Sequence, residues 1–82
     1  MNFDDVEYDD RKKAEWVLFK MKEKLRIYKN EPVLVRDFYQ FSGITPDYTD
    51  EYYGWYDLTD AYIETHRHKS YIILPRPEYI YR

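Results

Sequence analysis

Residues 48–62 read YTDEYYGWYDLTDAY. Whether this is a second full helix or a loop sets which elements the chain has to pack, so this stretch decides the fold. Gly54 interrupts it, Pro46 precedes it, Asp and Thr turn formers surround it, and its apolar residues keep no helical period. Residues 45–60 are therefore expected to be a long ordered loop with at most a helical turn. The same fifteen residues hold five tyrosines, a tryptophan and four carboxylates, with no base among them. That composition suits either a surface made for a partner or the joint of a small aromatic core.

Upstream, residues 10–28 lack Gly and Pro, and Ala14, Leu18, Met21, Leu25 and Tyr28 recur at the spacing of one helical face. A long N-terminal helix is predicted, capped by Asp9 or Asp10 and ended by Glu31-Pro32, because a residue before proline avoids the α region. Trp16, Phe19 and Ile27 form a second apolar set on its opposite side. One thin layer cannot bury both sides. The second set therefore needs cover from a terminal segment, such as Phe3, Val6 and Tyr8 or Tyr79, Ile80 and Tyr81, or from a partner or second copy, which makes it a second interface.

After Pro32, PVLV reads as a short strand, and RDFYQFSGI as a short helix closed by Gly43, with Phe38, Phe41 and Ile44 facing inward. Downstream, AYIETHRHKSYIILP alternates, breaks at a polar turn near residues 67–70 and resumes, which predicts an antiparallel hairpin over residues 61–74. Pro75 and Pro77 end it. The fold class is α+β: long helix, short strand, short helix, ordered loop and C-terminal hairpin, only loosely winged-helix-like because no second full helix precedes the hairpin.

The 82 residues suffice for a single domain with one modest core, built on 21% aromatic residues. Residues 1–9 read as an acidic tail and residues 78–82 as a C-terminal tail. The absence of cysteine excludes disulfides and thiolate metal sites, and with no leader-like or membrane-spanning run it leads us to expect a cytoplasmic protein away from the membrane. The net charge of −3 conceals segregation: residues 1–10 and 47–60 are acidic, and residues 11–29 are basic.

The runs VLVRDFYQFSGI, YTDEYYGWYDLTDAYI and SYIILPRP resemble a family of small proteins and domains encoded by bacteriophages and integrative elements, especially of Gram-positive bacteria. Its pattern joins a valine-rich strand and an Asp-Phe/Leu-Tyr helix to Tyr-Thr-Asp…Tyr-Gly-Trp, an Asp-Leu-x-x-Ala strand start and Leu-Pro-x-Pro. The resemblance covers residues 31–77 as one module. It departs at Ser70, where the family places a turn glycine, and at Ile73, where it often places a polar residue. The resemblance implies a mobile-element origin and a shared fold, and no settled activity. It also favours a structural role for Tyr53 and Trp55, packing the loop onto the hairpin, with Gly54 permitting a backbone shape that others cannot reach.

No catalytic set emerges: there is no phosphate loop, nucleophile elbow or ordered Ser-His-Asp series, and His66-x-His68 is half a metal site. We therefore expect a non-enzyme without cofactor or metal. Its partner-binding residues are Asp47, Tyr48, Asp50, Glu51, Tyr52, Tyr56 and Asp57, an acidic tyrosine surface suited to a basic groove. The expected partner is a host protein, such as a nucleic-acid-binding defence effector blocked in the manner of anti-CRISPR inhibitors, with the chain a monomer or homodimer. A nucleic-acid-binding regulator acting through Lys20, Lys24, Arg67 and Lys69 is the alternative, although pI near 5.3 weighs against it. A virion structural role is a third reading.

Overall fold

In the computed structural model, which describes residues 5–80, the chain is a mixed α+β fold. Helix α1 spans Arg11–Ile27, and Asp10 caps it by accepting a 2.9 Å hydrogen bond from the Lys12 amide. Ala14, Val17, Leu18 and Met21 are its buried face. Val17, outside the predicted stripe, is fully buried because about 100° per residue places it beside Met21 on the same arc. Tyr28 is half exposed, since at the C-cap it has left helical geometry (φ −104°, ψ 77°) and no longer follows the helical projection. Asn30 then turns the chain at φ 71° before Pro32.

Strand β1 (Val33–Leu34) leads directly into helix α2 (Val35–Phe41). Asp37 ties the junction, accepting from the Leu34 amide at 2.9 Å and from Lys24 Nζ of α1 at 2.5 Å. The end of α2 is a Schellman motif: Ile44 N donates to Tyr39 O at 2.8 Å and Gly43 N to Gln40 O at 3.1 Å, with Gly43 at φ 77°. Phe38 is fully buried and Phe41 partly so, whereas Ile44, beyond the reversal at Gly43, is exposed rather than inward.

The expected loop is more ordered than its pattern implies. It forms a short 3-10 helix, Tyr48–Tyr52, and then strand β2, Tyr53–Trp55, the centre of a three-stranded antiparallel sheet in the order β1, β2, β5. Strand β5 is Glu78–Tyr79, so residues read as a tail complete this sheet, with Tyr53 opposite Tyr79 and Gly54 opposite Glu78. Sequence periodicity misses β2 because three residues are too few to show alternation.

Gly54 is required for a reason other than backbone freedom. A Cβ there would stand 2.4 Å from the Val33 carbonyl oxygen and 3.0 Å from the Leu34 Cα, so only glycine lets β1 lie so close. Trp55 beside it is buried, meets Phe38 edge-on at 6.4 Å and 81°, and donates its indole N–H to the Pro75 carbonyl at 2.6 Å. That bond fastens β2 to the segment leaving the hairpin.

The hairpin is β3 (Tyr62–His66) with β4 (Lys69–Ile73), in register from Tyr62 opposite Ile73 to His66 opposite Lys69. Its two-residue turn is Arg67-His68 at φ 50° and 70°, both left-handed as a type I′ loop demands, without the usual glycine. Ile72 and Leu74 join Val17, Met21, Val33, Val35, Phe38, Trp55 and Leu58 in one core. The described end of the acidic N-terminal segment is docked too: Tyr8 is buried and exchanges 2.9 Å backbone bonds with Ser70, while Asp9 pairs with Lys69. Phe3 and Tyr81, named as candidate cover for α1, lie outside the described residues.

Candidate functional site

The 3-10 helix Tyr48–Tyr52 is held by its own carboxylates. Asp47 accepts from the Tyr48 amide at 2.7 Å, and Asp50 reaches back to accept from the Asp47 amide at 2.8 Å. Asp50 is only 3% exposed, so its charge is spent inside this cap and does not reach a partner. Glu51 meets Arg36 of α2 at 3.4 Å, a long contact on a half-exposed pair. The rigid turn presents Tyr48 at 79% exposure and leaves Tyr52 partly open.

Strand pairing adds residues that sequence reading assigned to a tail. Tyr79 lies edge-on to Tyr53 at 5.7 Å, and Ile80 N donates to Tyr52 O at 2.6 Å, which brings β5 alongside the tyrosine turn. Tyr79 is exposed, as is Glu78 beside it. This places Tyr48, Tyr52 and Tyr79, with Asp47, Glu51 and Glu78, along the turn and the strand beside it, a rim whose described bases include Arg36 against Glu51 and Arg76 in a cleft with Glu78. The Pro-flanked PEY at the chain's end was the available signal, and only pairing with β2 gives it meaning.

Tyr56 and Asp57 belong elsewhere. Asp57 accepts from the Thr59 amide at 2.8 Å and hydroxyl at 2.5 Å, and these bonds hold its carboxyl below the ordinary aspartate value. Tyr56 stands where three shallow clefts meet, and Lys22, Lys24, Arg26, Arg36 and Arg76 line them together with Glu31, Asp57 and Glu78. The acidic character of residues 47–60, uniform along the chain, is thus broken by bases that folding brings from α1, α2 and the C-terminal segment. Of the seven expected partner-binding residues, Asp47, Tyr48, Glu51 and Tyr52 share the rim, Asp50 is internal, and Tyr56 and Asp57 lie among bases.

The second apolar set, Trp16, Phe19 and Ile27, is 46%, 59% and 53% exposed. Phe41 of α2 touches Trp16 edge-on at 6.1 Å, and Lys13 Nζ lies 4.5 Å from the Trp16 ring centre. The described residues named as its cover lie elsewhere, Val6 against the core, Tyr8 on β4, Tyr79 against Tyr53 and Ile80 beside Tyr52, and the face stays exposed.

At the hairpin end, His66 Nε2 is 3.1 Å from Glu64, both exposed. Among the described residues, no group of three His, Asp or Glu side chains is placed to hold a metal ion, and no helix is long and apolar enough to cross a membrane. Searches of protein-family models, of curated proteins and of solved structures find no match to this chain.

Proposed function

We propose that this chain is a non-enzymatic accessory protein of a bacteriophage or integrative element, acting in the cytoplasm of a bacterial host by binding and modulating a host protein. The rim of Asp47, Tyr48, Glu51, Tyr52, Glu78 and Tyr79 is its contact surface. The observation that carries this reading is Tyr48, 79% exposed on a turn whose N-terminal end is capped by Asp47 and Asp50. A tyrosine on a rigid support offers contact area for little ordering entropy, and flanking carboxylates steer it toward a basic groove. The motif resemblance over residues 31–77 supports the mobile-element origin, and a nucleic-acid-binding defence effector, inhibited as by an anti-CRISPR protein, is the partner class with such a groove.

The test is capture from a Gram-positive host lysate by the wild-type chain and by a Tyr48→Ser, Tyr52→Ser, Tyr79→Ser variant. A host protein retained by the first and lost by the second is expected. Neutralising Asp47, Glu51 and Glu78 should then slow association and flatten its salt dependence, because exposed charges act on encounter. Equal capture by the tyrosine variant refutes the rim as the contact.

One observation favours a second reading, a nucleic-acid-binding regulator: the bases around Tyr56 resemble a stacking platform in a positive funnel. Lys24, assigned to this role from sequence, is instead bound to Asp37. Mobility shifts on random duplex and single strands at low salt decide it, with retention abolished by Tyr56→Ser, Lys22→Ala and Arg26→Ala as the result this reading requires.

A further inference from the structure

The exposed face of α1 has an internal symmetry. Trp16, Lys20, Glu23 and Ile27 follow one another at intervals of four, three and four residues, the spacing of a two-heptad seam. That series reads the same from either end. A two-fold axis across the helix between residues 21 and 22 exchanges Trp16 with Ile27 and Lys20 with Glu23. Each apolar residue then meets an apolar one, and each charge meets its opposite.

We propose that this face binds a second copy of the chain, α1 against α1 in antiparallel orientation, forming a weak isologous dimer. A two-fold interface requires a self-complementary surface, and the four seam residues are self-complementary in polarity and charge, with Phe19 and Tyr28 flanking them opposite Lys24 and Glu15. Lys20 and Glu23 already pair within one chain at 2.9 Å. Across the axis that pair lies on its own reverse, making a cluster of four alternating charges. Parallel packing would set Lys20 against Lys20 and Glu23 against Glu23, so charge selects the antiparallel arrangement. Phe41, edge-on to Trp16, widens the apolar strip, and a groove lined by Phe41, Lys20, Glu23, Lys24, Ile27 and Tyr28 runs along it, open to the partner's Trp16 at its Ile27 end. The interface uses none of the rim residues and does not rest on the function proposed for them.

The area sets the strength. Trp16, Phe19, Ile27 and Tyr28 are each about half exposed, roughly 100 Å² apiece, so two copies bury about 800 Å² from these side chains, below the ~1,200 Å² of stable interfaces. Dimerisation at high micromolar concentration follows, with a dissociation constant on the order of 100 µM.

Sedimentation equilibrium of the full chain from about 10 µM to about 1 mM tests it. The wild type should pass from monomer to dimer. Lys20→Glu and Glu23→Lys should each weaken the dimer at least about tenfold while keeping the wild-type circular dichroism, because each sets like charges across the axis. An equimolar mixture of the two variants should rejoin as a heterodimer of wild-type affinity. A wild type that stays monomeric throughout overturns the proposal; if removal of residues 1–4 and 81–82 then releases dimerisation, the termini are the cover. Variants that dimerise like the wild type place the contact on another surface and also overturn it. A mixture that binds more tightly than the wild type marks parallel packing, which equally refutes the antiparallel assignment.

Discussion

Gly54→Ala isolates the contact on which the β1–β2–β5 sheet depends. The added Cβ would stand 2.4 Å from the Val33 carbonyl oxygen, whereas ordinary contacts begin at 3.4 Å, so the strands must part by about 1 Å. The obstacle is backbone and cannot rotate away. β1 is only two residues long, and Val33 and the following Val35 are fully buried, so moving it opens the core. Overpacking costs about 1–3 kcal/mol, and weakening one or two ladder bonds adds about 1 kcal/mol each, which together give about 3 kcal/mol. At about 4–8 °C per kcal/mol for a domain of this size, the melting temperature should fall by roughly 12–24 °C. Thermal and urea unfolding followed by tryptophan fluorescence and circular dichroism measure it. Gly43→Ala is the matched control, since a Cβ there meets nothing within 4 Å and the cost comes only from φ 77°, about 1–2 kcal/mol. If Gly54→Ala is within about 0.5 kcal/mol of wild type, or costs less than Gly43→Ala, the close approach of β1 to β2 is wrong.

Asp37→Ala should destabilise by about 2–3 kcal/mol in urea titration, because it strips the partner from Lys24 and from the buried Leu34 amide together. Replacing Arg67-His68 with Asn-Gly should stabilise by about 1 kcal/mol, since both residues sit at positive φ; a lower urea midpoint would show that the Arg67 or His68 side chain contributes contacts that outweigh the strain. Burial, against an opposing 2.5 Å bond to Ser42, holds the Tyr8 phenol above its ordinary value of 10.0. The native state then keeps a proton that the unfolded chain releases, so stability should fall as pH rises above about 10, and Tyr8→Phe should flatten part of that fall. Lys69, raised by Asp9, and Tyr71, raised by its burial, supply the remainder. Urea midpoints of both proteins at pH 9 and pH 11 check the difference, and identical slopes would exclude Tyr8 as a source.

α1, α2 with its Gly43 stop, and the hairpin were legible in the sequence because each is decided by interactions within a few residues: the Asp10 cap, the helical stripe, the left-handed Gly43, the alternation of residues 62–73. Trp55 could be placed in the core from its bulk and its Tyr-Gly-Trp setting. Strand β2 could not, since three residues carry no period and their pairing depends on Val33 and Leu34 about twenty positions away and on Glu78 and Tyr79 as far in the other direction. The site divided in the same way. Tyr48 and Tyr52 were visible as tyrosines in a polar turn, but Asp50 turned inward to satisfy an amide, Tyr79 arrived through a strand, and bases from α1 and α2 surrounded Tyr56. Charge adds along a chain without regard to direction, whereas a partner meets only what the fold brings together on one surface. Which carboxylates remain outside and which bases stand beside them is therefore set by long-range strand pairing and packing, and local sequence carries no record of either.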